Sequence, residues 1–433
     1  MKNPTLTKKF MTYVSLNIFS MIGVSFYILA DTFFIAKYVG SLGLTALNLV
    51  IPIYFLFISA PAMMLGVGGA AHFSIFLGNR RFRKALHYFH TTFATGVLYG
   101  IGILFLALLA RRPICLALGA DANAFDMTLS YYTILMCFAP IAVANNILLH
   151  FIRNDNNPKL ATTAMIISNI CNVIGDYILL EPMHLGIGGA ALATGISPIV
   201  SLTIQALHFQ KEDIRLHFYD FHFIPHTLPR ILKIGLPSFI NDCASGLIVL
   251  IFNLTILRLA GNIGIAAYGV IANFNLVVIA IFNGIAMGIQ PLASFAYGAN
   301  DTTTLRFVRR HAKEVAFVLG ALIYLLSFLF TDALAGLFNS ENDAYFLNTA
   351  FMGIRLYFLA YFFTGYNMAE ISYLAATANA RHSTTLSSAR SFILPLMVVP
   401  LGAIFHMQGV WLTMPLAECL TLLLALVLQY KQK

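Results

Sequence analysis

The chain has 433 residues, 59% of them hydrophobic and only 10% charged, with a formal net charge of +9 at pH 7. So large an apolar share excludes an ordinary soluble globular protein and fits a polytopic membrane protein. The basic excess would suit a nucleic-acid surface only if it were clustered for that purpose, and its placement shows otherwise.

A helix that crosses a bilayer needs about 20 mostly apolar residues. In chain order the sequence predicts twelve such helices, at 10–37, 44–77, 86–110, 127–152, 160–180, 186–208, 234–259, 264–297, 314–338, 347–377, 391–406 and 409–428. The eleventh is short enough to merge with the twelfth into a hairpin. These runs lack the two-residue alternation of strands, so the fold class is an all-α polytopic membrane protein and not a barrel. The first run is too long for the core of a cleavable signal peptide and leads into further spans.

Numbering the loops from the N-terminus places 21 of the 26 lysines and arginines on one side, from Lys2, Lys8 and Lys9 through Arg80–Lys84 and Arg306–Lys313 to Lys431 and Lys433. The opposite side holds four: Lys37, Arg111, Arg112 and Arg258. That split is the positive-inside pattern, which puts both termini in the cytoplasm and favours an even number of spans. Arg111–Arg112 is its one local violation. No nucleic-acid partner is implied; the partner is the lipid bilayer.

The cysteines Cys115, Cys137, Cys171, Cys243 and Cys419 are scattered and fit no metal-site spacing, so they read as small apolar residues. His217, His222 and His226 lie in the longest basic-side loop and read as a solvated face. No P-loop or hydrolase pattern is present, which disfavours an ATP-driven pump and implies no cofactor.

That loop, 208–233, separates six spans from six. VGSLGLTALNLVIP (39–52) aligns with AGNIGIAAYGVIAN (260–273), sharing Gly40/Gly261, Gly43/Gly264 and Ala46/Ala267. GGAAHFSIFLGN (68–79) aligns with GIQPLASFAYGA (288–299), sharing Gly68/Gly288, Ser74/Ser294 and Gly78/Gly298. Since both copies end in a basic loop on the same side, the halves share one orientation. The expected architecture is two six-helix bundles, 1–207 and 234–433, joined by the linker 208–233 and related by a pseudo-twofold along the membrane normal. Two such bundles with a cleft between them suit alternating access.

Five segments carry a resemblance: ADTFFIAKYVG in span 1, FIRNDNNPKLA (151–161), SNICNVIGDYILL (168–180), IGLPSF (234–239) and GIQPLASFAYGAN (288–300). Together they resemble the multidrug and toxic compound extrusion (MATE) transporters of the MOP superfamily, over nearly the whole chain. The resemblance implies a 6+6 helical fold and an antiporter that exports amphiphilic, often cationic organic compounds as H⁺ or Na⁺ enters. The sequence departs from the family in span 1, where YVSLNIFSMIG lacks the usual proline. A bend there would rest on Gly23 and Asn17.

Topology alone sets the depth of the polar residues. Asp31 lies near the outer end of span 1 and Asp176 near the outer end of span 5, with Asn172 one turn before it. Thr194 lies two turns into span 6 and Tyr131 one turn into span 4, both of which start outside. These five residues therefore share one depth in the N-terminal half, and all match positions the family uses for its polar site. Two carboxylates there can share a proton, or bind Na⁺ with Asn and Thr oxygens completing the shell. The bland reading of Asn172, Thr194 and Tyr131 is helix–helix hydrogen bonding; the two aspartates are expected to carry cation coupling.

A second candidate cluster, for a cation or the substrate, comprises Asp242, Ser245, Tyr366 and Glu370. Tyr366 and Glu370 match the sodium-coupled, NorM-like branch, which also has a span-7 glutamate where Ser245 stands here; Asp242, one turn away, is the expected substitute. Pairing of Glu370 with Arg355 is excluded by the fifteen residues between them, about 22 Å of helix. Glu418 reads as reaching a helix neighbour or the interface. Asp155, Asp301 and the outer acidic stretch 339–343 carry no site.

The functional expectation is therefore a cation-coupled exporter of drug-like or toxic compounds in a prokaryotic inner membrane, a monomer with no oligomer signal. A lipid-linked oligosaccharide flippase of the same superfamily needs cations for pyrophosphate, and Arg355 is the only clear intramembrane cation read from the sequence. A major-facilitator carrier is excluded because its loop signature is missing from GNRRFRK. A membrane enzyme lacks a clustered His/Asp or Cys/His set, and a channel would show no gradient-dependent pumping.

Overall fold

The computed structural model describes residues 4–336 and 344–430, with the side chains of Ser245 and Asn262 outside that description. The acidic stretch 339–343 and the terminal Lys2, Lys431 and Lys433 therefore lie outside the described residues. Among the described residues every regular element is a helix. They are α1 (Pro4–Tyr38), α2 (Ser41–Tyr54), α3 (Ala60–Gly78), α4 (Phe82–Leu109), α5 (Arg111–Ala117), α6 (Phe125–Cys137), α7 (Ala139–Asn154), α8 (Pro158–Leu180) and α9 (Gly186–Ala206). There follow α10 (Leu228–Gly298), α11 (Thr302–Leu329), α12 (Thr331–Gly336), α13 (Ala344–Tyr357), α14 (Tyr361–Ala376), α15 (Ala380–Ser388) and α16 (Val398–Tyr430).

Ten stretches among the described residues are long and apolar enough to cross a bilayer, and α6 with α7, bent by 49°, makes an eleventh. The last of the ten, Ala380–Tyr430, has 51 residues, more than twice what one crossing requires. It turns back at His406, whose φ of 51° and ψ of −140° are not helical. Splitting it there yields twelve spans, the eleventh and twelfth forming the predicted hairpin. The 71-residue α10 breaks in the same way at Gly261. Span 2 is continuous through a π-helical turn, Phe55–Ser59, that follows Pro52.

The clearest boundary error is span 9. The sequence predicts 314–338, whereas α11 begins at Thr302, because Arg306, Arg309, Arg310 and Lys313 continue the helix as its polar end. Asp301 starts it, accepting from the backbone N–H groups of Thr303 (3.1 Å) and Thr304 (2.9 Å). The Thr304 hydroxyl, which also donates to it (2.6 Å), and then these backbone donors hold the Asp301 carboxyl below its ordinary value.

The internal repeat is written in the backbone. Positive φ occurs in pairs about 220 residues apart: Gly40 with Gly261, Arg80 with Asn300, Asn156 with Ala378, and His184 with His406. Each pair closes the corresponding turn in the two halves.

The chain forms two compact units whose limits differ from the expected division at 207 and 234. One comprises 1–18, 243–293 and 301–433; the other comprises 19–242 and 294–300. Each has its own apolar core, one including Phe73, Phe89, Tyr131 and Phe151, the other Phe10, Phe252, Phe282 and Trp411. The repeated glycines explain the limits. A Cβ on Gly68 would meet the Ile231 carbonyl oxygen at 2.0 Å, so the start of α10 packs backbone to backbone on α3. In the other unit a Cβ on Gly288 would lie 2.8 Å from Val14 Cα, so the start of α1 packs the same way on the second half of α10. The linker 208–233 is not a free tether. Asp155 accepts from the N–H groups of Arg215 (3.0 Å) and Leu216 (3.0 Å) and pairs with His208 (2.9 Å). His90 Nδ1 accepts from the His222 N–H (3.2 Å), so its Nε2 donates to the His217 carbonyl at 2.7 Å.

α1 is a single helix from Pro4 to Tyr38. Asn17 donates to the Tyr13 carbonyl one turn back (2.7 Å), while its buried Oδ1 accepts from no donor among the described residues.

Candidate functional site

The five N-terminal residues meet inside one unit. Asp31 projects from α1 seven residues before its end, and Asp176 from α8 four residues before its end. Both are buried, at 6% and 0% exposure. Their carboxyl groups lie within hydrogen-bonding reach of each other. A hydrogen bond between two carboxyl groups requires a proton between them, since each ionised oxygen only accepts. Buried Tyr131 on α6 lies within electrostatic range of both aspartates and of Tyr27 and Tyr54. Asn172, one turn before Asp176, is buried, and its amide donates to the Thr194 hydroxyl on α9 at 3.4 Å.

The packing explains how α8 and α9 come close enough. A Cβ on Gly175 would lie 3.2 Å from Ala193 Cβ, next to the site on both helices. Asp31 Oδ1, both Asp176 carboxylate oxygens and Asn172 Oδ1 accept from no donor among the described residues. This donor set of oxygens only, with two acids, suits a proton or a small hard cation. Tyr27 and Tyr54 were not singled out from the sequence. Tyr27 was within reach of pattern reasoning, being one turn before Asp31 on the same helix face. Tyr54 was not, because it stands on a different helix, and only packing brings α2 near α6. The repeat-related positions in the second half, Phe252 and Val398, are buried apolar residues, so no second acid pair forms there.

The residues of the second cluster are divided between the two compact units. Asp242 belongs to the same compact unit as Asp31, where it hydrogen-bonds Ser59 beside the π-helical turn. The Ser245 side chain lies outside the described residues. Tyr366 and Glu370 do meet, in the other unit, but two cations join them. Glu370, fully buried, accepts from Arg309 Nε (3.1 Å) and Arg309 Nη2, pairs with Lys313 Nζ (2.8 Å), and accepts from Gln429 (3.1 Å). Lys313 also donates to the Tyr366 hydroxyl (2.8 Å) and lies over its ring. Glu370 is thus paired with basic residues, and these are Arg309 and Lys313 because α11 extends further than predicted and carries them to the acid. Arg355 is not the partner; it stacks over Phe351 (4.1 Å) and Phe328 (4.4 Å).

Arg355 is half-buried, whereas the side chains of Arg153 and Arg390 are buried. Arg390 lies 2.8 Å from Glu418, which also accepts from Asn367 at 2.7 Å. Glu418 thus reaches helix neighbours, as read from the sequence. Among the described residues no group of three or more His, Cys, Asp or Glu side chains forms a metal site.

The MatE family model matches twice, over residues 17–178 and 237–401. The chain belongs to the MatE family. Its members are membrane transporters, and the double match coincides with the two repeats found above. Among curated relatives, the multidrug export protein MepA of Staphylococcus saprophyticus is 25% identical over 401 residues, covering 91% of this chain and 87% of MepA. MepA of Staphylococcus haemolyticus is 26% identical, covering 95% and 90%. Among solved structures, a MATE in the straight conformation superposes with a TM-score of 0.92 at 20% identity, covering 99% of this chain and 96% of that one. The MatE fold, with twelve spans in two repeats, is thereby shared across nearly the whole chain.

Proposed function

We propose that this MatE chain exports amphiphilic, cationic organic compounds across a prokaryotic inner membrane, driven by entry of H⁺ or Na⁺ through the Asp31–Asp176 pair. The relatives named multidrug export proteins support the substrate class. The distribution of lysine and arginine supports cytoplasmic termini and places the aspartate pair towards the outer end of its helices.

The observation that carries the reading is the contact of two buried carboxyl groups with no basic residue among their named partners. Two like charges about 4 Å apart repel by about 4 kcal/mol at an effective dielectric of 20. A proton or Na⁺ relieves that repulsion, so the loaded and empty sites favour different packings of α1 against α8. Alternating access follows if the drug-binding state prefers the empty pair, since a ligand shifts an equilibrium only by its differential affinity. Asn172 and Thr194 supply neutral oxygens to a Na⁺. Asp242, hydrogen-bonded to Ser59, remains a secondary cation or substrate candidate; Glu370 and Tyr366 are occupied by Arg309 and Lys313.

The test uses an efflux-deficient bacterium expressing wild type, Asp31→Asn or Asp176→Asn at equal levels. Ethidium and fluoroquinolone accumulation is measured with and without Na⁺, before and after a protonophore. Each variant should lose export, and salt dependence in the wild type separates Na⁺ from H⁺ coupling. Wild-type export rates in Asp31→Asn would sink the reading.

A further inference from the structure

We propose that the cavity at the basic end of α11 binds the phosphate headgroup of an anionic membrane lipid. The cavity has a volume of about 350 Å³ and is lined by Arg306, Arg309, Arg310, Lys313, Glu314 and Gln429. It lies wholly within one compact unit, and it is separate from the aspartate pair.

The charge does not balance inside the protein. Four cations line the cavity, against Glu314 at its wall and Glu370 behind it. Arg309 and Lys313 are committed to Glu370, and Arg310 Nε to Glu314 at 2.7 Å. Among the described residues Arg306 Nε donates only to the Thr302 carbonyl at the start of its own helix (3.3 Å). Two positive charges are left over. A guanidinium carries five N–H donors, so Arg306 and Arg310 still present free edges suited to the paired oxygens of a phosphate.

What selects a lipid over a soluble anion is the surface next to the cavity. The exposed face of α11 that bears Arg306, Arg310 and Glu314 continues at helical spacing into exposed Phe317, Val318, Leu322, Leu325 and Leu329. The end of α16 beside Gln429 likewise exposes Leu423, Leu426 and Val427. A basic pocket at the membrane edge, opening onto apolar helix faces, matches both halves of an anionic phospholipid. Free phosphate satisfies only the first half. This inference depends on the membrane fold and not on the transport reading.

The experiment measures saturable binding of phosphatidylglycerol to the purified full chain in neutral detergent micelles. Phosphatidylcholine and inorganic phosphate serve as probes in parallel. The variant is R306Q/R310Q, whose side chains are exposed and leave the Glu370 cluster intact. The control is R81Q/R83Q, the same charge change in another exposed basic stretch. Phosphatidylglycerol should bind where phosphatidylcholine and millimolar phosphate do not. R306Q/R310Q should weaken binding about 25-fold, the square of the roughly fivefold that one arginine near an anionic surface contributes. R81Q/R83Q should change it less than twofold. Equal weakening by both variants would overturn the proposal in favour of diffuse charge. Competition by inorganic phosphate at lipid concentrations would overturn it in favour of a soluble anion, and absence of saturable binding would remove the site.

Discussion

Replacing Glu370 by glutamine tests whether this acid neutralises its neighbours or takes part in transport. The side chain is fully buried and receives Arg309, Lys313 and Gln429 together. Glutamine keeps the shape but removes the one negative charge and turns an N–H₂ group towards one of the cations. Breaking a buried ion pair by removing one partner costs roughly 3–5 kcal/mol. Here the side chains of Arg309 and Lys313 are 30% and 15% exposed, so both can turn partly to water. That places the cost at the lower end, about 3 kcal/mol. The assay is thermal unfolding of the purified protein in detergent, with drug export measured alongside. E370Q should unfold at a clearly lower temperature. The triple change E370L/R309M/K313M should recover most of the loss, because replacing a whole buried ion cluster by apolar groups is near neutral. An E370Q protein as stable as wild type but unable to export would refute the reasoning and return the acid to a coupling role.

Three further outcomes follow from the packing. Gly298→Ala would put a Cβ 2.0 Å from the Ile75 carbonyl oxygen, where neither backbone can yield, and should destabilise by about 1–3 kcal/mol in thermal unfolding. Asp155→Ala removes the acceptor of two linker N–H groups and of His208, a loss of about 3 kcal/mol locally, so trypsin should cut after Lys211 or Arg215 much faster than in wild type. Asp301→Ala should cost about 1 kcal/mol at neutral pH, read as faster hydrogen exchange in the first turn of α11. Because the folded Asp301 carboxyl titrates below its unfolded value, its stabilisation is complete above about pH 4 and is lost as pH falls through the folded value. Wild type should show that acid-side loss of protection, and Asp301→Ala should not.

Asp31 and Asp176 were legible as a pair without any structure. Span counting sets the depth of a residue in a membrane helix, and a carboxylate in an apolar run has few uses. The same logic placed Asn172, Thr194 and Tyr131 beside them. The twelve spans and the repeat were equally local, since each rests on hydrophobic run length and on glycine spacing along one chain. What the sequence could not decide was which helix faces which. Asp242 and Glu370 stand only by distance along the chain as a cluster, and packing assigns them to different units. Arg309 and Lys313 read as a basic loop because charge normally ends a membrane helix. Only the tertiary structure shows that α11 continues through them, because the buried carboxylate of Glu370 on α14 offsets the cost of drawing two cations inward. The RNDxNP motif was recognised by its letters, but its work was hidden: Asp155 and Asn157 hold the linker through His208, a contact across 53 and 51 residues. Run length, depth and repeat are properties of one helix in a bilayer and are carried by sequence; the pairing of buried charges is a property of neighbours, and only the packed helices determine it.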